Sequence, residues 1–168
     1  MSRGLGDVYK RQVATMALCE AAAYYKTQGK TLWDAMIEMY EQFGYYKDDI
    51  KAVTMKGIEG LQKIQDIMNS LRQNPPAEFA GHKVVAVRDY KADTIKNLET
   101  GEVTPTGLPN SNVLYYELTN DAWVCVRPSG TEPKVKFYYG VKGTSLADAD
   151  EKSAVMGKAV LDMVDSMM

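Results

Sequence analysis

Hydrophobic and polar residues alternate along two neighbouring stretches in the last third of the chain, residues 122–126 and 135–141. In the first stretch Trp123 and Cys125 fall on one side and two valines on the other, and in the second every other residue is apolar. A period of two is typical of β-strands. The pattern therefore predicts two strands joined by the short polar loop that lies between them.

Four other stretches have apolar residues at helical spacing. They are residues 13–28, residues 32–43, residues 57–73 and a last helix after Ser145. Thr31 and Asp34 predict a capping box for the second helix, Asn74-Pro75-Pro76 ends the third, and Ser145 with Asp148 predicts an N-cap for the fourth. The expected core-facing stripes are Ile58, Leu61, Ile64, Met68 and Leu71 in the third helix and Ala154, Gly157, Leu161, Val164 and Met168 in the fourth.

Three more strands are expected, at residues 52–55, 83–90 and 112–118. With the two strands around the loop they make about five, and two amphipathic helices accompany them. This composition of elements predicts an α+β domain, an antiparallel sheet covered on one face by two helices, over residues 51–168. Residues 91–110 are expected to form a long polar connection, either a plain surface loop or a mobile rim over a site.

The part of the chain before this domain is expected to differ. Residues 45–50 are short of apolar positions, so we expect a charged connector and a domain boundary there. Residues 13–47 are expected to be an orphan helix pair whose apolar side is left exposed. Residues 1–12 lack periodicity and are expected to be disordered and foreign to the rest.

Composition narrows the function classes. The 168 residues are 45% hydrophobic and carry a net charge of −2, and no basic stripe is present. This argues against a nucleic-acid or membrane-surface partner. No apolar run is long enough to span a membrane, so we expect a cytoplasmic protein. Cys19 and Cys125 have no paired spacing, so each is expected to be reduced and buried.

The loop between the two strands concentrates anion-binding groups. Arg127 offers a planar fork for two phosphate oxygens, Ser129 and Thr131 offer hydroxyl groups, and Lys134 adds a charge. Gly130 permits a positive φ, so successive backbone N–H groups can turn inward. From the residues alone, a phosphate-binding loop and an ordinary polar connection both remain open.

A family resemblance favours the phosphate-binding reading. Residues 127–134, Arg-Pro-Ser-Gly-Thr-Glu-Pro-Lys, resemble the phosphate loop in the C-terminal domain of the α-D-phosphohexomutases, the phosphoglucomutase/phosphomannomutase family. Further segments resemble the family in the family's order: residues 21–26, 29–32, 44–46, 74–76, 87–90 and 107–109. The resemblance covers residues 13 to 168.

The resemblance implies a fold, a reaction and a set of contacts. Residues 51–168 would be the fourth domain, a sheet with two helices like the TATA-binding protein, and residues 13–47 the closing helices of the third domain. The parent enzymes move a phosphoryl group between the 1- and 6-hydroxyls of a hexose, through a bisphosphate, and the fourth domain holds the phosphate that is not reacting. The implied contacts are Arg127, Ser129, Gly130, Thr131 and Lys134, and the implied partners are glucose or mannose 1- or 6-phosphate.

Other family motifs are missing from this sequence. It has no Ser-His-Asn nucleophile, no Asp-Gly-Asp-x-Asp metal loop and no Glu-x-Ser-Gly sugar loop. We therefore expect no catalytic residue and no metal ligand in this chain, with magnesium belonging to the full-length enzyme. Two hypotheses follow: the C-terminal part of a truncated mutase, inactive alone, or a stand-alone phosphosugar-binding or scaffolding module.

Overall fold

The structure, a computed structural model, describes residues 5–55 and 57–167. The chain divides into two units, Met1–Gly44 and Tyr45–Met168. This places the boundary near the start of the expected connector rather than at its end.

The first unit consists of two helices, α1 (Leu5–Thr27) and α2 (Leu32–Phe43). The expected disorder is wrong for residues 5–12, which form the first turns of α1, while residues 1–4 lie outside the described residues. Residues 7–12 contain neither glycine nor proline, so a helix nucleated further along can extend through them at one hydrogen bond per residue. The capping box of α2 is confirmed: the Asp34 N–H donates to Thr31 Oγ1 at 3.2 Å, and the Thr31 N–H donates to Asp34 Oδ2 at 2.8 Å.

The helices of the first unit expose their apolar side chains. Among the described side chains of residues 9–44, none is buried. The large apolar side chains that lie more than half exposed are Tyr9, Val13, Met16, Leu18, Tyr24, Trp33 and Phe43. The expected exposed patch is thus confirmed, and the expected burial of Cys19 is wrong, because this thiol is exposed. Across the described residues of both units, no helix has the length and apolar content needed to cross a membrane.

The second unit is built on an antiparallel sheet. Its strands are β1 (Tyr45–Thr54), β2 (Glu78–Phe79), β3 (His82–Asp89), β4 (Thr94–Asn97), β5 (Val103–Thr104), β6 (Leu114–Leu118), β7 (Trp123–Pro128) and β8 (Lys134–Gly143). They lie in the order β1-β8-β7-β6-β3-β4-β5, and β2 pairs with β3. The α+β class is confirmed, and the expected count of five strands is too low.

The expected connector is the first half of β1. Tyr45 pairs with Gly143, and the pairing with β8 runs without interruption to Thr54 opposite Lys134. The sheet domain therefore begins at residue 45 rather than 51. β1 lies at the edge of the sheet, where charged side chains such as Lys47 and Asp49 are tolerated and discourage pairing with other chains. This edge position explains why the segment lacks the alternation of a buried strand.

The expected polar connection over residues 91–110 contains the two short strands β4 and β5, which pair with each other. Asp93, with a φ of 53°, turns the chain into this hairpin. Its Oδ1 atom accepts hydrogen bonds from the N–H groups of Thr106 and Gly107, at 3.0 and 3.1 Å. The segment is therefore an ordered hairpin tied to the main sheet.

Two helices, α3 (Ile58–Gln73) and α4 (Leu146–Asp165), bury apolar residues in a core shared with the sheet. The sheet contributes alternate residues, among them Val124, Val126, Val135, Phe137 and Tyr139, each with no exposed surface. Ile64, Met68 and Leu71 of α3 and Gly157 and Val164 of α4 are buried as expected. The stripes are wrong at Leu61 and Ala154, which are exposed, and at Leu161, which is half-buried. Met168 and the side chain of Ile58 lie outside the described residues.

Gly157 allows the close approach between α4 and the sheet that its position in the stripe suggested. A Cβ atom at this position would lie 2.3 Å from the Tyr139 hydroxyl oxygen and 2.8 Å from Cε of Lys51. The Tyr139 hydroxyl is itself held in place, since it donates to Asp49 Oδ2 at 3.1 Å. The helix therefore rests on a phenol that cannot easily move away.

We predict that Gly157→Ala lowers the free energy of unfolding by about 1–3 kcal/mol through overpacking, although alanine favours helix by about 1 kcal/mol over glycine. Urea unfolding followed by circular dichroism measures this. The loss should shrink in a Tyr139→Phe background, which removes the obstructing oxygen. Ala154→Gly, at an exposed position of the same helix, measures the effect of helix propensity on the free energy of unfolding without any overpacking. A Gly157→Ala protein more stable than the parent would contradict the tight contact.

Candidate functional site

The loop between β7 and β8 projects its polar groups on the side of the sheet opposite the core. Residues inside the two strands alternate, so Val126 and Phe137 are buried while Arg127 and Lys136 point the other way. Arg127 is the cross-strand partner of Lys136. The pairing of the strands thus brings two cations side by side at the base of the loop.

The loop is held in shape by its own hydrogen bonds. The Ser129 N–H donates to the Lys134 carbonyl at 2.7 Å, and the Lys134 N–H donates to the Glu132 carbonyl at 2.7 Å. Ser129 Oγ accepts from the N–H groups of Thr131 and Glu132, at 3.4 and 3.3 Å. Because this hydroxyl is already an acceptor, its proton remains available to donate to a ligand.

A pocket of about 260 Å³ lies against this loop. Four of the five expected site residues line it: Arg127, Ser129, Gly130 and Thr131, together with Pro128, Lys136 and Tyr138. Lys134 is not among its lining residues, and its Nζ lies 3.2 Å from Glu132 Oε2. Neither Lys136 nor Tyr138 was among the expected contacts. Strand pairing counted outward from the loop places residue 136 opposite residue 127. This count would have indicated Lys136.

The charges of the pocket are unbalanced. Among the described residues, neither Arg127 nor Lys136 has a carboxylate partner within ion-pair distance. Like charges directly opposite each other across an antiparallel pair are destabilising, and an anion bound between them relieves the repulsion. With hydroxyl donors beside them, these cations form a site suited to an anion.

Gly130 does not use the positive φ that a glycine permits. Its φ is outside the left-handed region, and a Cβ atom built on it would meet nothing within 4 Å. The turn is stabilised instead by the two hydrogen bonds that backbone N–H groups donate to Ser129 Oγ. Neither backbone strain nor packing within the protein explains this glycine.

A second pocket, of about 560 Å³, shares Arg127 and Tyr138 with the first. Its other lining residues are Tyr90, Leu108, Pro109, Ser111, Val113, Tyr115 and Cys125. Burial raises the pKa of the Cys125 thiol above its ordinary value, and the neighbouring Arg127 charge opposes this only in part. Burial, with the Glu117 charge, also raises the pKa of Tyr115. Both groups are therefore protonated at neutral pH.

The residues that the structure describes contain no group of three or more His, Cys, Asp and Glu side chains that could hold a metal ion. The donors around the loop are cations, hydroxyls and an amide, which suit an anion and not a metal cation.

Comparisons with known proteins identify the family of the chain. The family model described as the phosphoglucomutase/phosphomannomutase C-terminal domain matches residues 53–157. The phosphoglucomutase of Staphylococcus aureus strain bovine RF122 / ET3-1 is 37% identical over 135 residues, which are 80% of this chain and 24% of that protein. The same enzyme from strain MSSA476 is 36% identical over 135 residues, with the same shares.

A solved structure was also found: the exocytosis-sensitive phosphoprotein parafusin, a phosphoglucomutase from Paramecium, in its open form. It has a TM-score of 0.46 and 11% identity, and the match covers 85% of this chain and 24% of that one. This chain spans about a quarter of the length of the curated relatives that it matches. Since the family model covers most of the second unit and its loop, the chain belongs to the phosphoglucomutase/phosphomannomutase family.

Proposed function

We propose that the second unit holds the phosphate group of a hexose phosphate that is not reacting, within a phosphoglucomutase or phosphomannomutase. The observation that carries this proposal is the pair of cations, Arg127 and Lys136, which lie opposite each other without carboxylate partners in the described structure. Both line one pocket with Ser129 and Thr131. A phosphate dianion supplies the charge and the acceptor oxygens that this pocket lacks.

Each loop residue has a distinct task in this proposal. Arg127 binds two phosphate oxygens at once, and Lys136 adds a charge from the opposite strand. Ser129 and Thr131 donate through their hydroxyls. Gly130 offers its backbone N–H, and the missing side chain lets the phosphate approach the backbone closely. Lys134, through its contact with Glu132, supports the loop.

The mutase reaction itself is a proposal for the whole protein. Interconversion of glucose or mannose 1- and 6-phosphates through a bisphosphate requires a phosphoserine and a magnesium loop, which we assign to other domains of a cytoplasmic enzyme. No group of described residues fits magnesium, so we derive no step through it. The helices within residues 13–43 correspond in this proposal to the third domain. The task of this chain is to bind one end of the substrate, and so to orient the other.

The second candidate is a stand-alone phosphosugar-binding module without catalysis. One observation favours it: every residue that lines the loop pocket lies within residues 127–138 of a single unit. The second unit can thus form this pocket by itself. The two candidates share the binding step and differ in whether the chain also serves catalysis.

We predict that inorganic phosphate and glucose 6-phosphate shift the backbone amide signals of residues 127–136 in a nuclear magnetic resonance titration. Arg127→Ala should weaken binding by about 1.5–3 kcal/mol, roughly tenfold to a hundredfold, because it removes a charge-assisted bidentate contact. Arg127→Lys should restore only part of the affinity. Shifts that persist unchanged in Arg127→Ala would refute this site.

The two lysines next to the loop provide a matched pair. Lys136→Ala should weaken phosphate binding more than Lys134→Ala, because Lys136 lines the pocket while the Lys134 ammonium contacts Glu132. The same titration, repeated at low and high salt, measures both effects. Equal losses in the two variants would mean that only the overall positive charge matters and that the pocket has no defined geometry.

We also predict that the purified chain does not convert glucose 1-phosphate to glucose 6-phosphate. The sequence lacks the nucleophile and metal motifs of the family, so binding is not followed by transfer. A coupled assay for glucose 6-phosphate, with a complete phosphoglucomutase as positive control, checks this. Turnover that scales with the amount of chain and disappears in Arg127→Ala would overturn the assignment of catalysis to other domains.

A further inference from the structure

A pocket of about 170 Å³ lies where the last turn of α3 meets β3 and β4. Two of its lining residues, Val87 and Asp89, pair with Tyr116 and Leu114 of β6, which are buried in the core. Directly paired residues lie on the same face of a sheet, so this helix-side pocket is on the face that carries the helices. The candidate phosphate loop, residues 127–134, projects from the opposite face, so the two pockets are separate.

The guanidinium group of Arg72, which lines the helix-side pocket, has a donor without a partner. Its Nε donates to Asp89 Oδ2 at 3.0 Å, and its Nη2 donates to Asn112 Oδ1. Its Nη1 is buried and has no hydrogen-bond partner among the described residues. A buried donor left unpaired is costly, and the cost is greater on a charged group. An acceptor that enters the pocket would meet this guanidinium and remove the cost.

The helix-side pocket also carries an excess of positive charge. Lys96 lines it, and among the described residues its ammonium group has no carboxylate within ion-pair distance. The Asp89 carboxylate balances one of the two cations and is already engaged, since its Oδ1 accepts from the N–H groups of Lys91 and Ala92. One positive charge remains, which matches a ligand with a single negative charge better than a dianion.

Apolar side chains complete the wall of the helix-side pocket. Val87, Leu98 and Pro75 line it together with the two cations. Its volume is below the range typical of pockets for drug-sized ligands, so it suits a molecule of only a few carbon atoms. The pocket thus combines donors for one carboxylate with a short apolar surface.

We propose that the helix-side pocket binds a small monocarboxylic acid. The carboxylate lies at Arg72 and Lys96, where a guanidinium and an ammonium group supply charge-assisted hydrogen bonds. The hydroxyl of Thr94, which also lines the pocket, offers a further donor. The short carbon chain packs against Val87 and Leu98. This site uses none of the residues of the proposed phosphate site, so each can stand without the other.

A nuclear magnetic resonance titration of the Arg127→Ala chain with acetate, propionate and butyrate, at constant ionic strength, tests the proposal. The substitution weakens the phosphate loop, so that binding elsewhere is seen. We expect the backbone amide signals of residues 72–74 and 94–98 to shift in a saturable way. The affinity should rise from acetate to butyrate, by up to about fourfold for each added methylene group, because the apolar wall covers the chain.

Two lysines provide a matched pair of variants. Lys96→Ala should weaken butyrate binding several-fold. Lys91→Ala should leave it unchanged, because Lys91 is equally exposed and does not line the pocket. Arg72 also holds Asp89 and Asn112 in place, so its replacement would confuse loss of binding with loss of structure.

Three results would overturn the proposal. If no acid gives a saturable shift at residues 72–74 and 94–98, water satisfies the buried donor and no ligand site exists there. Equal affinity for the three acids would show that the apolar wall takes no part. Equal losses in the two lysine variants would mean that general surface charge attracts the acids. None of these results bears on the phosphate loop, which is tested by inorganic phosphate at residues 127–136.

Discussion

The antiparallel pairing of β7 with β8 is the interaction on which the rest of the second unit depends. Its register buries Val126 and Phe137 and, one residue closer to the loop on each strand, sets Arg127 against Lys136 on the other face. A slip of one residue would turn the cations into the core and the apolar residues outward. Since a buried unpaired charge costs far more than any surface contact returns, the core enforces the geometry of the proposed binding site. Alternate positions of the same two strands thus supply the residues of the core and the cations of the candidate site.

Local signals in the sequence predicted the parts of both units that are locally determined. The strands around the loop were evident from their alternation, and the caps at Thr31 and Ser145 from residues three positions apart, because in each case the responsible contacts lie within a few residues. Residues 45–50 were not predicted as a strand because an edge strand needs no buried face. Strand β4 was not predicted because a short hairpin is formed by backbone hydrogen bonds that polar residues can make. The first turns of α1 were not predicted because a helix can extend through a sequence that has no apolar stripe.

The candidate site shows the same division. Arg127, Ser129, Gly130 and Thr131 were found because they are contiguous, and all line one pocket. Lys136 lines the pocket, where Lys134 was expected. This difference depends on strand register and on the contact between Lys134 and Glu132, and residue types alone reveal neither. Gly130 permits a positive φ that the loop does not use, because the hydroxyl of Ser129 makes the turn instead. The second pocket draws on residues from Tyr90 to Tyr138, and only the folded sheet brings them together.

This organisation has a consequence for how binding energy is used. The loop is closed by hydrogen bonds among its own residues, so the cost of ordering it is met in folding and does not recur when a phosphate binds. The pair of like charges raises the free energy of the free protein, because its repulsion persists there and is relieved only by an anion. Binding is therefore favoured both by a preformed shape and by an unfavourable free state. Because neither cation contributes to the core, charge at this site can change without loss of the fold. The proposed recognition of phosphate can thus be tuned while the fold is kept.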